Sequence, residues 1–260
     1  TAIDRKAKKS FSPALYDLTE LQRDANKLYG YSAKETLKYM QSLYESHKVL
    51  TYPRTDSRYL SSDIVSTLPE RLKACGAGEY RSLVNKVLKK PIKPSKAFVD
   101  DSKVSDHHAI IPTEGYVNYS AFSDKERKIY DLVVKRFLAV LFPAHEYEQL
   151  TLQATIGKEK FIAKGKTVIN AGWKEVYENR FDDEESTDDV KEQLLPRLEK
   201  GQVLKTKLIA QTFGQTKPPA RFTEATLLSA MENPTKYLET GDKKLAETLK
   251  STGGLGTVAT

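Results

Sequence analysis

The stretch Leu50-Thr51-Tyr52-Pro53-Arg54-Thr55-Asp56-Ser57-Arg58-Tyr59-Leu60 gathers phenol, guanidinium, hydroxyl and carboxylate groups into eleven residues. Val49, Leu50 and Thr51 have strand character. Pro53 cannot donate to a sheet ladder, so a central strand ends or bulges there. With the backbone extended, Tyr52, Arg54 and Asp56 share one side. A phenol titrates near ~10 and is a poor nucleophile at neutral pH until its phenolate is stabilised. An arginine two residues away offers charge and a bidentate grip on phosphate oxygens. Tyr52 and Arg54 can therefore meet one phosphate. The competing reading is a tyrosine that packs a core, the commoner fate of an aromatic side chain.

The chain around this stretch has 260 residues, 39% hydrophobic and 30% charged, enough for one large domain or two to three small ones. Its net charge of +7 suits a polyanionic partner without requiring one. Cys75 is the single cysteine, which forbids an internal disulfide and fits a reducing, cytoplasmic compartment. No run approaches the roughly 18 apolar residues of a membrane span, so no membrane partner is expected. Thr1-Ala2-Ile3-Asp4-Arg5-Lys6 lacks the apolar core of a signal peptide. Both ends read as cuts within a longer chain.

Residues 1–14 are basic and polar and read as a connector, or as a strand whose partner is missing. Asp17-Leu18-Thr19-Glu20 is a capping box, after which Leu18, Leu21, Ala25 and Leu28 recur at helical spacing until Gly30. Ser32-Ala33-Lys34-Glu35 caps a second helix with Leu37, Met40, Leu43 and Tyr44 on its apolar face. Two short helices followed by a strand have the outline of a helix-turn-helix, though an ordinary helical hairpin has it too. Ile64, Val65, Leu68 and Leu72 form a further apolar face, which Pro69 breaks or restarts. Lys89 to Lys96, with Pro91 and Pro94, reads as an extended basic loop. Ser123-Asp124-Lys125-Glu126 caps the strongest helix, closed by Pro143. Leu150, Leu152, Ala154 and Ile156 then alternate as in a strand, and Gly157 to Lys160 turn it back through Phe161, Ile162 and Ala163. Residues 166–177 and 202–212 also favour strands. Between them, 182–189 carry six acids in eight residues, a solvated loop rather than a metal site. Helical period returns from Thr223 through Leu227, Leu228 and Met231.

Tyr52-Pro53-Arg54-Thr55-Asp56-Ser57 resembles the active-site tyrosine motif of the type IA DNA topoisomerases. Three further blocks resemble that family in the same order: Ser105 to Thr113, Pro218 to Leu227 and Gly253 to Thr260. Proline after the tyrosine and the paired histidines are similar to the topoisomerase III branch. The resemblance implies an α+β multidomain protein, part of a toroid. Residues 15–141 would be the catalytic-tyrosine domain, helix-rich with a helix-turn-helix-like part. Residues 1–14 and 142–212 would belong to a β-rich hinge domain, and 213–260 would begin a helical DNA-binding domain.

By the same resemblance, Tyr52 attacks single-stranded DNA and becomes linked to its 5′ phosphate, which stores the bond energy for resealing. No Gly-x-x-x-x-Gly-Lys-Ser/Thr loop is present, consistent with chemistry that needs no ATP. Arg54 would hold a phosphate oxygen in the transition state; its alternative is a salt bridge to Asp56 or a neighbour. His107 matches the family's histidine near the scissile phosphate, its alternative being a packed, backbone-bonded histidine. Catalytic roles are therefore expected for Tyr52, Arg54 and His107. DNA contacts are expected from Thr55, Ser57, His108, Lys89, Lys90, Lys93, Arg221 and Thr257, with Lys8, Lys9, Lys86 and Lys96 as weaker candidates. Thr55 and Ser57 also shape the loop that carries Arg54. Arg58 reads as a plain surface arginine. His108 and Ile111 stand where the topoisomerase I branch usually has glutamate and arginine, and Val258 where proline is common. No metal ligands are expected here. The family's Mg2+ sits on a TOPRIM domain, which supplies acids to the leaving 3′ oxygen and would be this chain's partner, so the chain alone should be inactive. A monomer is expected. The rival is a non-catalytic helix-turn-helix DNA-binding module reading duplex DNA through Lys34, Glu35, Lys38, Gln41 and Glu45.

Overall fold

The computed structural model describes residues 2–178, 195, 198–237, 243–251 and 254–256. The chain divides into two compact units, Thr1–Ser12 with Phe142–Pro219, and Pro13–Leu141 with Ala220–Thr260.

In the first unit, β1 (Ala2–Ser10), β2 (His145–Ile156) and β3 (Glu159–Asn170) form an antiparallel sheet in the order β1-β2-β3. The basic N-terminal segment is thus a full strand whose partner lies within the chain, with Ala2 opposite Gln153 and Ser10 opposite His145. Lys9 faces Glu146 directly across the ladder and pairs with it at 2.6 Å, the cross-strand pairing of opposite charges that steadies a two-strand register. Gly157, at φ +62°, takes the first central position of the two-residue β2–β3 hairpin, where the loop favours glycine. The alternation from Leu150 to Ile156 falls in β2 as expected.

Of the two further strand expectations, 166–177 holds only over 166–170, within β3, and 202–212 does not hold. The strand ends at Asn170, and Gly172–Tyr177 is a 3-10 helix. Gly172 sits at φ +55°, where an added Cβ would overlap the Ala144 carbonyl, so the chain turns instead of pairing. Trp173 then buries at 1% exposure and donates Nε1–H to the Ser10 carbonyl at 3.0 Å. Residues 202–212 form no strand and are exposed, Val203 and Leu208 included. Strand propensity alone does not order a segment that finds no ladder partner among the described residues. The acidic run 182–189 lies outside the described residues.

The second unit is helical. Asp17 caps α1 (Leu18–Tyr29) by accepting the Glu20 N–H, and Gly30 at φ 67° ends it. Ser32 and Glu35 form the capping box of α2 (Ala33–Glu45). A 3-10 turn, Ser62–Thr67, leads into α3 (Leu68–Cys75), with Pro69 tolerated in the first helical turn where no N–H partner is lost. After α4 (Arg81–Leu88), Ser123 and Glu126 exchange hydrogen bonds at the start of α5 (Asp124–Leu141). Glu126 also accepts the Ser42 hydroxyl at 2.6 Å, joining α5 to α2. Two further helices are α6 (Glu224–Glu232), capped by Thr223, and α7 (Lys243–Ser251).

Leu18, Leu21, Ala25, Met40, Leu43, Ile129, Val133 and Phe137 are all buried in the core. Leu28, expected on the apolar face of α1, is exposed because the last turn outruns the core. Arg136 braces the centre: it donates to Asp24 at 2.6 Å, to the Tyr16 hydroxyl at 3.1 Å and to the Ala14 carbonyl at 3.1 Å.

Candidate active site

Val49 and Leu50 meet the chain at Pro112 and Thr113: Thr51 donates to the Ile111 carbonyl at 3.0 Å, and Thr113 to that of Val49 at 3.0 Å. Past Thr51 the ladder stops, as Pro53 requires. The two-residue alternation nevertheless continues. Pro53, Thr55 and Ser57 point inward and are buried, whereas Arg54 and Asp56 face out.

Side-chain hydroxyls replace the missing ladder bonds. Thr55 Oγ1 donates to the His107 carbonyl at 2.9 Å and accepts the Ser57 N–H at 3.1 Å. Ser57 Oγ donates to the Lys103 carbonyl at 2.8 Å and accepts the Tyr59 N–H at 3.1 Å. On the other side, Leu18 donates its N–H to the Thr55 carbonyl at 3.1 Å, and Ile110 donates to Tyr16 at 2.8 Å. The stretch is thus clamped between the start of α1 and residues 103–113.

This clamp sets Tyr52 against His107, and His107 lines a cleft with Arg54. The Tyr52 ring lies 4.3 Å from the His107 ring, tilted by 39°, and 5.5 Å from Tyr44 of α2, edge-on. Half-buried Tyr52 is therefore not a core residue, and its hydroxyl bonds to no described residue. Arg54 is exposed and makes no ion pair with a described residue, so the salt bridge to Asp56 is not formed. His107 is exposed, its carbonyl held by Thr55 and its ring against Tyr52.

Arg54 and His107 open onto a cleft of about 1150 Å³ that also touches the start of α2 and one side of α6. Among the described residues its lining holds five carboxylates (Asp17, Asp56, Asp106, Glu224 and Glu232) against three cations, Lys34, Arg54 and Arg58. Among the described residues, positive charge is thus not concentrated in this lining. Among the described residues no group of three or more His, Cys, Asp or Glu is placed to hold a metal ion. The described residues do not fit a Mg2+ site.

The other expected contacts are not gathered at this point. Thr55 and Ser57 are 3% and 4% exposed and spend their hydroxyls on backbone, an arrangement that serves the loop-shaping role expected of them. His108 turns inward, its Nδ1 2.7 Å from the Ala109 carbonyl, and burial holds its pKa below the ordinary histidine value. Ile111 is fully buried. Lys89, Lys90 and Lys93 are exposed beyond α4, and none lines the cleft. Arg221 is exposed two residues before the cap of α6 and does not line it either. Thr257 lies outside the described residues. Arg58, read from sequence as a surface arginine, lines the cleft in contact with Asp17 and Glu20. No sequence signal marks it, because its partners lie on another element.

A family model described as DNA topoisomerase matches residues 1–260. The chain is 80% identical over 258 residues to the DNA topoisomerase 3 of Bacillus thuringiensis (strain Al Hakam), covering 99% of this chain and 35% of the relative. It is 59% identical to the DNA topoisomerase 3 of Bacillus subtilis (strain 168), again over 99% of this chain and 35% of the relative. A solved structure, full-length topoisomerase I from Thermotoga maritima, is similar with a TM-score of 0.60 and 22% identity, covering 96% of this chain and 40% of that one. The chain thus spans about a third of the length of the curated relatives it matches.

Proposed function

Because the chain belongs to the DNA topoisomerase family, we propose that it is the part of a type IA enzyme that carries the tyrosine nucleophile. The observation that supports this reading is the Tyr52 ring packed on His107, which lines one cleft together with Arg54, an arginine with no ion pair among the described residues. Tyr52 Oη attacks a phosphodiester of single-stranded DNA; the phenol proton leaves, a Tyr–O–P bond forms and the P–O3′ bond breaks. The 3′ oxygen takes a proton and the 5′ phosphate stays on the tyrosine. Resealing reverses these steps and consumes no ATP, because the ester keeps the bond energy. Arg54 stabilises the charge that builds on the non-bridging oxygens, where an oriented donor acts most strongly. His107 packs the phenol and offers a ring N–H to the same phosphate.

We assign residues 15–141 to the catalytic-tyrosine domain, 1–14 and 142–212 to part of a hinge domain and 213–260 to the start of a helical DNA-binding domain. The acid for the leaving oxygen and the Mg2+ come, on this reading, from a TOPRIM domain outside this chain. The acid excess of the cleft fits that division: a bound cation offsets carboxylates that would otherwise repel the strand. No described helix is long and apolar enough to cross a membrane, and we place the enzyme in the cytoplasm, acting as a monomer.

The test uses supercoiled plasmid and a labelled single strand, with and without magnesium. The 260-residue chain should bind the strand weakly and neither cut nor relax DNA. Supplying the acidic domain, fused or as a separate chain, should restore magnesium-dependent cleavage. Cleavage by the chain alone would place all of the chemistry within it and overturn the division.

A further inference from the structure

The tyrosine loop rests on α1 through one residue. Asp17 is 6% exposed, and both carboxylate oxygens are engaged. Oδ1 accepts the capping N–H of Glu20 at 2.6 Å, and Oδ2 accepts the Arg58 Nε–H at 2.6 Å. The neighbouring Leu18 N–H holds the Thr55 carbonyl at 3.1 Å. Both ends of the segment from Thr55 to Arg58 are therefore fixed to the first turn of α1, one end by backbone and the other by charge. Arg58 also pairs with Glu20 at 3.1 Å and comes within 3.9 Å of Glu232 at the end of α6, while Arg23 joins Glu20 to Glu232.

Arg54 and Arg58 lie four residues apart in one motif, yet their surroundings differ. Arg54 is exposed with no ion-pair partner among the described residues, whereas Arg58 is enclosed by carboxylates that neutralise its charge in place. An arginine committed in this way is a poor grip for an incoming phosphate. A charge-assisted hydrogen bond between fixed groups is instead a short, directional strut. The strut is demanding to keep: burial pushes the Asp17 carboxyl above its ordinary pKa even with Arg58 beside it.

We propose that Asp17 and Arg58 are a positioning pair that sets the Thr55–Arg58 segment, and through Thr55 the His107 backbone, so that Arg54 and His107 keep their places beside Tyr52. The inference rests on Tyr52 being the nucleophile. Displacements on the order of 1 Å at a reacting centre cost about 10²-fold in rate, so a strut remote from the phosphate can control turnover without touching DNA.

The test compares Asp17→Asn, Arg58→Ala, Arg58→Lys and the double variant Asp17→Asn/Arg58→Ala in the full-length protein. Asparagine caps a helix about as well as aspartate, so Asp17→Asn removes the charge and keeps α1. Single-strand cleavage should fall roughly 10–100-fold in kcat for Asp17→Asn and Arg58→Ala, with KM and strand affinity within about 2-fold. Arg58→Lys should recover part of the loss, and the double variant should lose no more than the worse single one. In the 260-residue chain, the His107 ring proton resonances, shifted by the Tyr52 ring, should move in Asp17→Asn. Loss of affinity at unchanged kcat would make Arg58 a direct DNA contact and overturn the proposal. So would additive losses, or variants that only melt earlier with kcat and the His107 resonances unchanged. Tyr52→Phe is run beside them. An adduct that survives in it defeats the nucleophile reading, whereas the His107 resonances judge the strut separately.

Discussion

Replacing Thr55 with valine isolates the hydroxyl that stands in for the ladder. Valine matches threonine in shape, so no cavity opens, but two hydrogen bonds disappear: Thr55 to the His107 carbonyl at 2.9 Å and Ser57 N–H to Thr55 at 3.1 Å. The Ser57 N–H is buried and has no water to turn to, which costs about 1–3 kcal/mol. The His107 carbonyl belongs to an exposed residue and recovers part of its loss from solvent, leaving roughly 1 kcal/mol. The total is about 2–4 kcal/mol, or roughly 5–15 °C in Tm for a unit of this size. Thr55→Ser keeps both bonds and loses one methyl, about 1 kcal/mol. The two units permit separate readouts. Trp173, the only tryptophan, reports the sheet unit by fluorescence, and far-ultraviolet dichroism is dominated by the helical unit. Thr55→Val should lower the helical transition and leave the Trp173 transition in place. A valine variant that melts with the wild type, or a serine variant that falls as far as valine, would refute the reasoning.

Arg54→Ala in the full-length protein should slow cleavage by about 10²–10³, the effect of removing one charge-stabilising donor, and single-turnover rates on a labelled strand check it. Asp106→Asn removes one exposed carboxylate from the cleft lining and should tighten single-strand binding a few-fold at low salt; the gain should vanish as salt screens it. Partial burial holds the His108 pKa below the ordinary histidine value, so its neutral form is favoured in the fold. Its stabilising contribution is complete above the unfolded pKa of about 6.5 and is lost as pH falls through the lower folded value. Urea midpoints between pH 7.5 and 5 should drop less in His108→Gln than in the wild type, and parallel curves would contradict this.

Features that depend on neighbours in sequence were legible. The caps at Asp17, Ser32 and Ser123, the stop at Gly30 and the alternation through β2 each arise from a few adjacent residues. Tyr52, Arg54 and His107 were legible through a motif, and the outward turn of Arg54 and Asp56 followed from the period of extended backbone. What escaped was set by distant partners. Nothing within residues 2–10 says that β2 lies beside them, and nothing within 202–212 says that no strand does. The inward turn of Thr55 and Ser57 comes from carbonyls at His107 and Lys103. Arg58 was misread for the same reason, since its carboxylates sit on α1 and α6.

The central claim is that Tyr52 is the atom donor of the covalent bond. The direct measurement incubates the full-length protein with a labelled single strand and magnesium, stops the reaction with denaturant, digests the protein and sequences the nucleotide-bearing peptide by mass spectrometry. The expected result is a nucleotide attached through its 5′ phosphate to Tyr52, with no adduct in Tyr52→Phe although that variant still binds the strand. An adduct on Tyr59 or any other residue, or one that persists in Tyr52→Phe, would contradict it.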